Sequence, residues 1–376
     1  MKNYLIKICF VLLGLNLYGQ SSINVGKTIR VNYHFMLKSD GTGNFNEVTD
    51  GDGRLFSGYD WAQKQVLQMN QQSDQNIQMK IPLGNTLPVL NKNYNYVLDA
   101  VYFWRDDNTF YYSQAENAYT IYGQNKGSVM NVIIAETTGS TGVGGAANST
   151  AIAIPITGVL HKYIKMQNEW DAYLDQWNTL GYFLGWAQAL TTSHEFGHLL
   201  GLNHTVLYGN GVACPVGCPL PGYTYVQGPI VSSCGDNIVD TPTAWDITSS
   251  NNCTEHPGIF NAATNGLYFS NNLMDYSNNL GLSPNQIEYI HNGLELGNRA
   301  FTSCNAVAND LTLCDVGYPK VSYFGKNILV GNCGTLADIT NREIINIYYS
   351  QSVVLNNIEI RADSQLEIIF EPVCSF

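Results

Sequence analysis

The chain has 376 residues, 45% of them hydrophobic and only 13% charged, with a formal net charge of −12. That length exceeds one small domain and suits a catalytic domain with an accessory one, and the apolar content is ample for a full core. The acidity argues against nucleic acid or an anionic membrane surface as a partner.

Residues 1–19 read as a secretory signal, with Lys2 and Lys7 at the positive end, Ile8 to Leu17 as the apolar run and Gly19 before a cut at Gln20. The run is short for a bilayer span, and no later stretch is apolar enough for one, so no membrane span is expected after the signal is removed. A secreted, monomeric protein is expected. The cysteines agree: of nine, Cys9 leaves with the signal, and Cys214, Cys218, Cys234, Cys253, Cys304, Cys314, Cys333 and Cys374 remain. An even set in an exported chain predicts disulfides, the first four within residues 20–302 and the last four within residues 303–376, with the pairing open.

Thr28 to Leu37 alternates and is rich in β-branched and aromatic residues, which predicts a strand. Asp60 to Gln72 predicts a helix with Trp61, Val66, Leu67 and Met69 on its apolar side. Tyr96 to Trp104 is a second strand, and Val129 to Ala135, nearly all apolar, a central third. Gly144, Gly145, Ala146 and Ala147 read as an edge strand above a cleft, to which an extended peptide could add as one more strand; a surface loop is the alternative. Trp170 to Ala189 is compatible with helix, either running unbroken into the segment at His194 or broken at Gly181 or Gly185.

The segment from His194 carries the chemistry. Residues 194–204 read H-E-x-x-H-x-x-G-x-x-H, with His194, Glu195, His198, Gly201 and His204 in the named positions. On a helix, residues four apart share one face, so His194 and His198 can bind one zinc ion. Gly201 can adopt a left-handed conformation, end the helix and turn the chain so that His204 arrives as third ligand. Three protein ligands leave a fourth position for water, the pattern of one catalytic zinc. Glu195, beside the first ligand, is placed to take that water's proton as general base.

Two later stretches bear on this site. In Cys234 to Pro242, Asp236 and Asp240 alternate with apolar residues and could cap a turn, orient the ligand histidines, or bind a structural calcium; the turn role ranks first. Asn272 to Tyr276 has the form of a Met-turn, with Met274 a polarizable floor under the imidazoles and Tyr276 placed to ligate the metal or steady an oxyanion. Ser283 to Ala300 predicts a helix with Ser283 as N-cap, Pro284 at its first position and His291 structural. From Ser303 to Phe376 the chain reads as a small all-β module. Within it Val353 to Glu371 alternates: Ile358, Ile360, Ala362, Leu366 and Ile368 face one way, and Glu359, Arg361, Asp363, Gln365 and Glu367 the other.

In this order, H-E-x-x-H-x-x-G-L-x-H-T, C-G-D-x-x-x-D-T-P and N-x-M-x-Y, the chain resembles the pappalysin-type (cytophagalysin) metzincin metallopeptidases. The resemblance implies an α+β fold: a twisted mixed sheet plus helices above a cleft, and an irregular lower subdomain carrying the Met-turn. It also implies endopeptidase activity on protein or peptide substrates, with His194, His198 and His204 as ligands, Glu195 as base, and structural calcium in some members. The chain departs from some members in having no cysteine between Gln20 and Val212 to latch the zinc, and in Ser277-Asn278-Asn279 after Tyr276, where relatives that cleave before Lys or Arg carry acidic groups. The expected organisation is a signal at 1–19, a peptidase domain at 20–302 and a disulfide-containing β module at 303–376. Two rivals stand beside it: a secreted adhesin whose zinc domain is vestigial, and a processing protease or toxin of narrow specificity.

Overall fold

The computed structural model describes residues 26–79, 87–137, 144–147, 162–207, 236, 238, 240–241, 244–245, 260–261, 266–267, 271–274, 280–314, 316, 319–331, 337–339, 344–356, 358–360 and 364–371. The proposed signal at 1–19, most of the cysteine-rich stretch after residue 207, and Tyr276 lie outside these residues.

Strand β1 (Lys27–Leu37) is buried along its whole length. Helix α1 (Gly58–Asp74) comes next, started by Ser57 and Asp60 in a reciprocal capping box. Trp61, Val66 and Met69 are buried as expected, but Leu67 is 57% exposed: one residue past Val66 it lies about 100° further round the helix. Strand β2 (Tyr94–Arg105) pairs with β1. A short helix, α2 (Ala115–Tyr122), then precedes the apolar strand β3 (Met130–Ala135), and β4 (Gly144–Ala147) and β5 (Tyr163–Gln167) complete the sheet. Its order is β2-β1-β3-β5-β4. All pairs are parallel except β4 with β5, so the sheet is mixed, β3 is central and Gly144–Ala147 forms one edge. The sequence reading assigned neither α2 nor β5.

Alternation along β3 divides the side chains between two layers. Val132 and Ile134 join the main core with α1, while Ile133 and Ala135 pack with Ala118, Tyr119 and Tyr163 beneath α2. On the main-core side, α3 (Glu169–Leu180) and α4 (Trp186–Leu199) are separate helices, broken by Gly181 and Gly185 at φ +78° and +72°. Only glycine adopts such angles at no steric cost, so the chain turns here and sends α4 back across the sheet.

Between α4 and Ser283 the named strands among the described residues form only two-residue ladders, β6 (Val206–Leu207) with β7 (Ala244–Trp245) and β8 (Phe260–Asn261) with β9 (Gly266–Leu267). Helix α5 (Pro284–Leu296) has the expected start, with Ser283 and Gln286 in a second capping box, but stops short of Ala300 at Gly297. A four-residue α6 (Ser303–Ala306) leads into β10 (Leu311–Leu313), β11 (Ser322–Val330), β12 (Ala337–Ile339), β13 (Ile344–Leu355), β14 (Ile358–Ile360) and β15 (Gln365–Phe370). These form two parallel sheets, β10-β11-β13-β15 and β12-β14. Cys304 and Cys314 are disulfide-bonded.

The alternation read over 353–371 does not survive as one face. Its described residues belong to three separate strands, and Ile360 and Ile368 are each nearly half exposed. The tail also shares the main core: Val321, Tyr323, Ile328 and Ile345 pack in the same cluster as β1 and β2.

Candidate metal centre

Helix α4 presents His194 and His198 four residues apart on one face. Its end is a Schellman turn: Gly201 N–H donates to the His198 carbonyl at 3.0 Å and Leu202 N–H to the Gly197 carbonyl at 2.9 Å, with Gly201 at φ +105°. The turn does two things. It carries His204 back to the helix, and it points the Leu202 carbonyl at His198 Nδ1, 2.8 Å away. His194 Nδ1 meets the Leu273 carbonyl at 2.7 Å.

A carbonyl can only accept, so both Nδ1 atoms carry the proton and both Nε2 atoms are left with a lone pair. Those lone pairs converge. His194 Nε2 and His198 Nε2 each lie 3.0 Å from His204 Nε2. Bare nitrogens that close repel unless a cation lies among them, and tetrahedral ligands at zinc-like bond lengths stand about 3.3 Å apart. Burial, reinforced by the neighbouring imidazoles, pushes His194 down to about 4 and His204 to about 3, and burial lowers His198 too, so all three are neutral near pH 7 and able to ligate. Among the described residues this is the one group of three or more such side chains that could hold a metal ion.

Met274 is fully buried, and its Sδ occupies the space a Cβ on Gly197 would need, one residue before His198. A larger residue at 197 would therefore lift the helix off the Met-turn. Glu195 is buried on the other side of α4, where Gly145 of the edge strand meets it. A Cβ on Gly145 would stand 2.8 Å from Glu195 Cγ and 3.2 Å from its Oε1.

The structure thus brings together His194, His198, His204, Glu195, Gly145 and Met274. Asp236 and Asp240 are placed differently. Asp236 Oδ1 accepts from Ile238 N–H at 3.0 Å and Thr241 Oγ1 at 2.6 Å, closing a local turn. Asp240 accepts from Ser283 Oγ at 2.5 Å and Asn285 N–H at 2.9 Å, at the start of α5. Burial raises both above the ordinary carboxylate range, Asp236 to about 7. The sequence reading missed the two carbonyls, which have no side-chain signature, and Gly197, whose need for glycine is set by a methionine far along the chain.

Residues 113–295 match the family model described as Pregnancy-associated plasma protein-A, peptidase M43. Among solved structures, the mature mirolysin of Tannerella forsythia in complex with a cleaved peptide is similar at 13% identity and a TM-score of 0.42, over 74% of this chain and 98% of that one. A promirolysin mutant from the same organism is similar at 14% identity and a TM-score of 0.42, over 78% and 90%. Among curated proteins none matches the chain.

Proposed function

Residues 113–295 make this chain a pappalysin-type metallopeptidase, and on that premise we propose that it is a zinc endopeptidase, exported by the signal at 1–19, that cuts extended polypeptides. One observation carries the reading: three neutral imidazoles converge their Nε2 atoms, with a buried carboxylate on the same helix beside an edge strand. Zinc held by His194, His198 and His204 would polarise the scissile carbonyl and lower the pKa of a water to about 7.

Glu195 accepts the proton of the attacking water and delivers it to the leaving amine. Its burial and its contact with the edge strand favour this role, because a peptide lying along Gly144–Ala147 brings its backbone past that carboxylate. Tyr276, two residues after Met274, is assigned to the oxyanion. For Asp236 and Asp240 the turn role is preferred to calcium, since Thr241, Ile238, Ser283 and Asn285 already use their oxygens. Residues 303–376 are assigned to attachment, sorting or substrate docking.

Glu195→Ala should retain the metal, measured by atomic absorption, while casein hydrolysis falls by about 10³-fold. Unchanged hydrolysis would refute the base, and a wild-type chain with no chelator-sensitive casein hydrolysis would favour a binding protein with a vestigial centre.

A further inference from the structure

Gln286 occupies the third position of α5, where its Oε1 accepts from Ser283 N–H at 3.0 Å. A capping box needs no more than that. Yet the rest of its carboxamide is also engaged. Oε1 accepts from Asn272 Nδ2 at 2.7 Å, and Nε2 donates to Asn272 Oδ1 at 3.3 Å and to Asp236 Oδ2 at 3.4 Å. The two amides therefore face each other, both fully buried. Asn272 Oδ1 in turn accepts from Met274 N–H at 2.8 Å, which fixes the turn between them. At the head of that turn is Leu273, whose carbonyl holds His194.

We infer that Gln286 is a positioning residue for the metal centre: through Asn272 it sets the turn whose Leu273 carbonyl orients the His194 ring. The path runs from Asp236 through Gln286 and Asn272 to Leu273 and His194, every step a buried or half-buried hydrogen bond or one residue of backbone. It joins the C-G-D-x-x-x-D-T-P stretch to the metal without making either aspartate a ligand. Groups that orient a ligating imidazole change metal affinity when removed, because the ring loses its fixed direction and tautomer. The inference rests on the proposed zinc centre and adds a residue to it.

The capping role and the positioning role separate cleanly in Gln286→Glu. Glutamate keeps the oxygen that caps Ser283, so capping alone predicts a neutral or slightly stabilising change. It loses the Nε2 donor and sets a carboxylate against Asn272 Oδ1 and Asp236. The full-length variant should bind zinc about 10–100-fold more weakly in chelator competition, and its cobalt(II) form should show a shifted visible spectrum. Ser283→Ala, which removes the cap and the bond to Asp240 but leaves the Gln286–Asn272 pair in place, should leave affinity within about twofold and the spectrum unchanged. Should Gln286→Glu fail to fold, Asn272→Asp removes the Nδ2 donor, keeps the acceptor for Met274, and should weaken zinc in the same direction. Wild-type affinity and spectrum in both variants would overturn the positioning role alone. A wild-type chain that binds neither zinc nor cobalt would overturn the metal centre and this inference together.

Discussion

Backbone carbonyls, not carboxylates, hold the two helical imidazoles: Leu273 for His194 and Leu202 for His198. A neutral acceptor fixes the ring and its tautomer without adding a second negative charge to a centre already flanked by Glu195. A different acidic pair lies at the start of α3. Glu169 is fully buried, and among the described residues neither of its carboxylate oxygens has a hydrogen-bond partner. Burial raises it well above the usual value, and nearby Glu136 raises it further. Glu136 is itself pushed up to about 8 by burial, with Asp171 adding and the Trp170 N–H opposing. The folded chain thus keeps protons that the unfolded chain releases above about 4.5, so stability falls as pH rises from there through about 8. Denaturation midpoints at pH 5 and pH 8 should show that fall in the wild type and a clearly smaller one in Glu169→Gln. Equal falls would mean that this carboxyl is not what titrates.

At the scale of elements, the site depends on a strand residue without a side chain where β4 meets Glu195 of α4. Gly145 of β4 has room for no Cβ against Glu195 and Met166. Gly145→Ala should therefore displace the Glu195 carboxylate and cost about 10²-fold in kcat, with zinc content and melting temperature little changed. A kcat within about twofold of wild type would show that the strand yields instead. The elements themselves were unevenly legible. β1, β2, β3, α1 and α5 announce themselves because a long apolar period or an Ser-x-x-Asp or Ser-x-x-Gln cap survives any tertiary context. α2 spans only two turns and buries only Ala115, Ala118 and Tyr119, and β5 places Lys165 and Gln167 among its five residues, so neither stands out from loop.

Across the whole molecule, the tail closes the sheet. Segment 319–322 lies along the outer edge of β2, with Val101 N–H donating to the Pro319 carbonyl at 2.8 Å and Val321 N–H to the Asp99 carbonyl at 2.9 Å. Ser322 Oγ donates to the Leu98 carbonyl at 2.5 Å. Arg30 lies 4.5 Å over the Phe324 ring while pairing with buried Asp99 at 3.0 Å. One edge of the sheet is therefore sealed by the tail, and among the described residues no further strand pairs with the other, β4. Ending the chain at Thr302 would expose the β2 edge and strip core from Val97. We expect that shortened protein to aggregate or to melt at least about 10 °C lower, a loss of roughly 3–5 kcal/mol. A soluble fragment with the full-length melting temperature would show the tail to be an independent module.

The residues that carry chemistry were legible because spacing alone encodes them: a helix repeats every 3.6 residues, so two histidines four apart share a face in any fold, and a glycine three beyond ends that helix. Which carbonyl meets each imidazole, why residue 197 must be glycine, and which sheet edge the tail covers were decided only in three dimensions. Every residue has a carbonyl and every strand an edge. Nothing local distinguishes Leu273 or the outer edge of β2 until packing brings the Met-turn under α4 and lays the tail along β2.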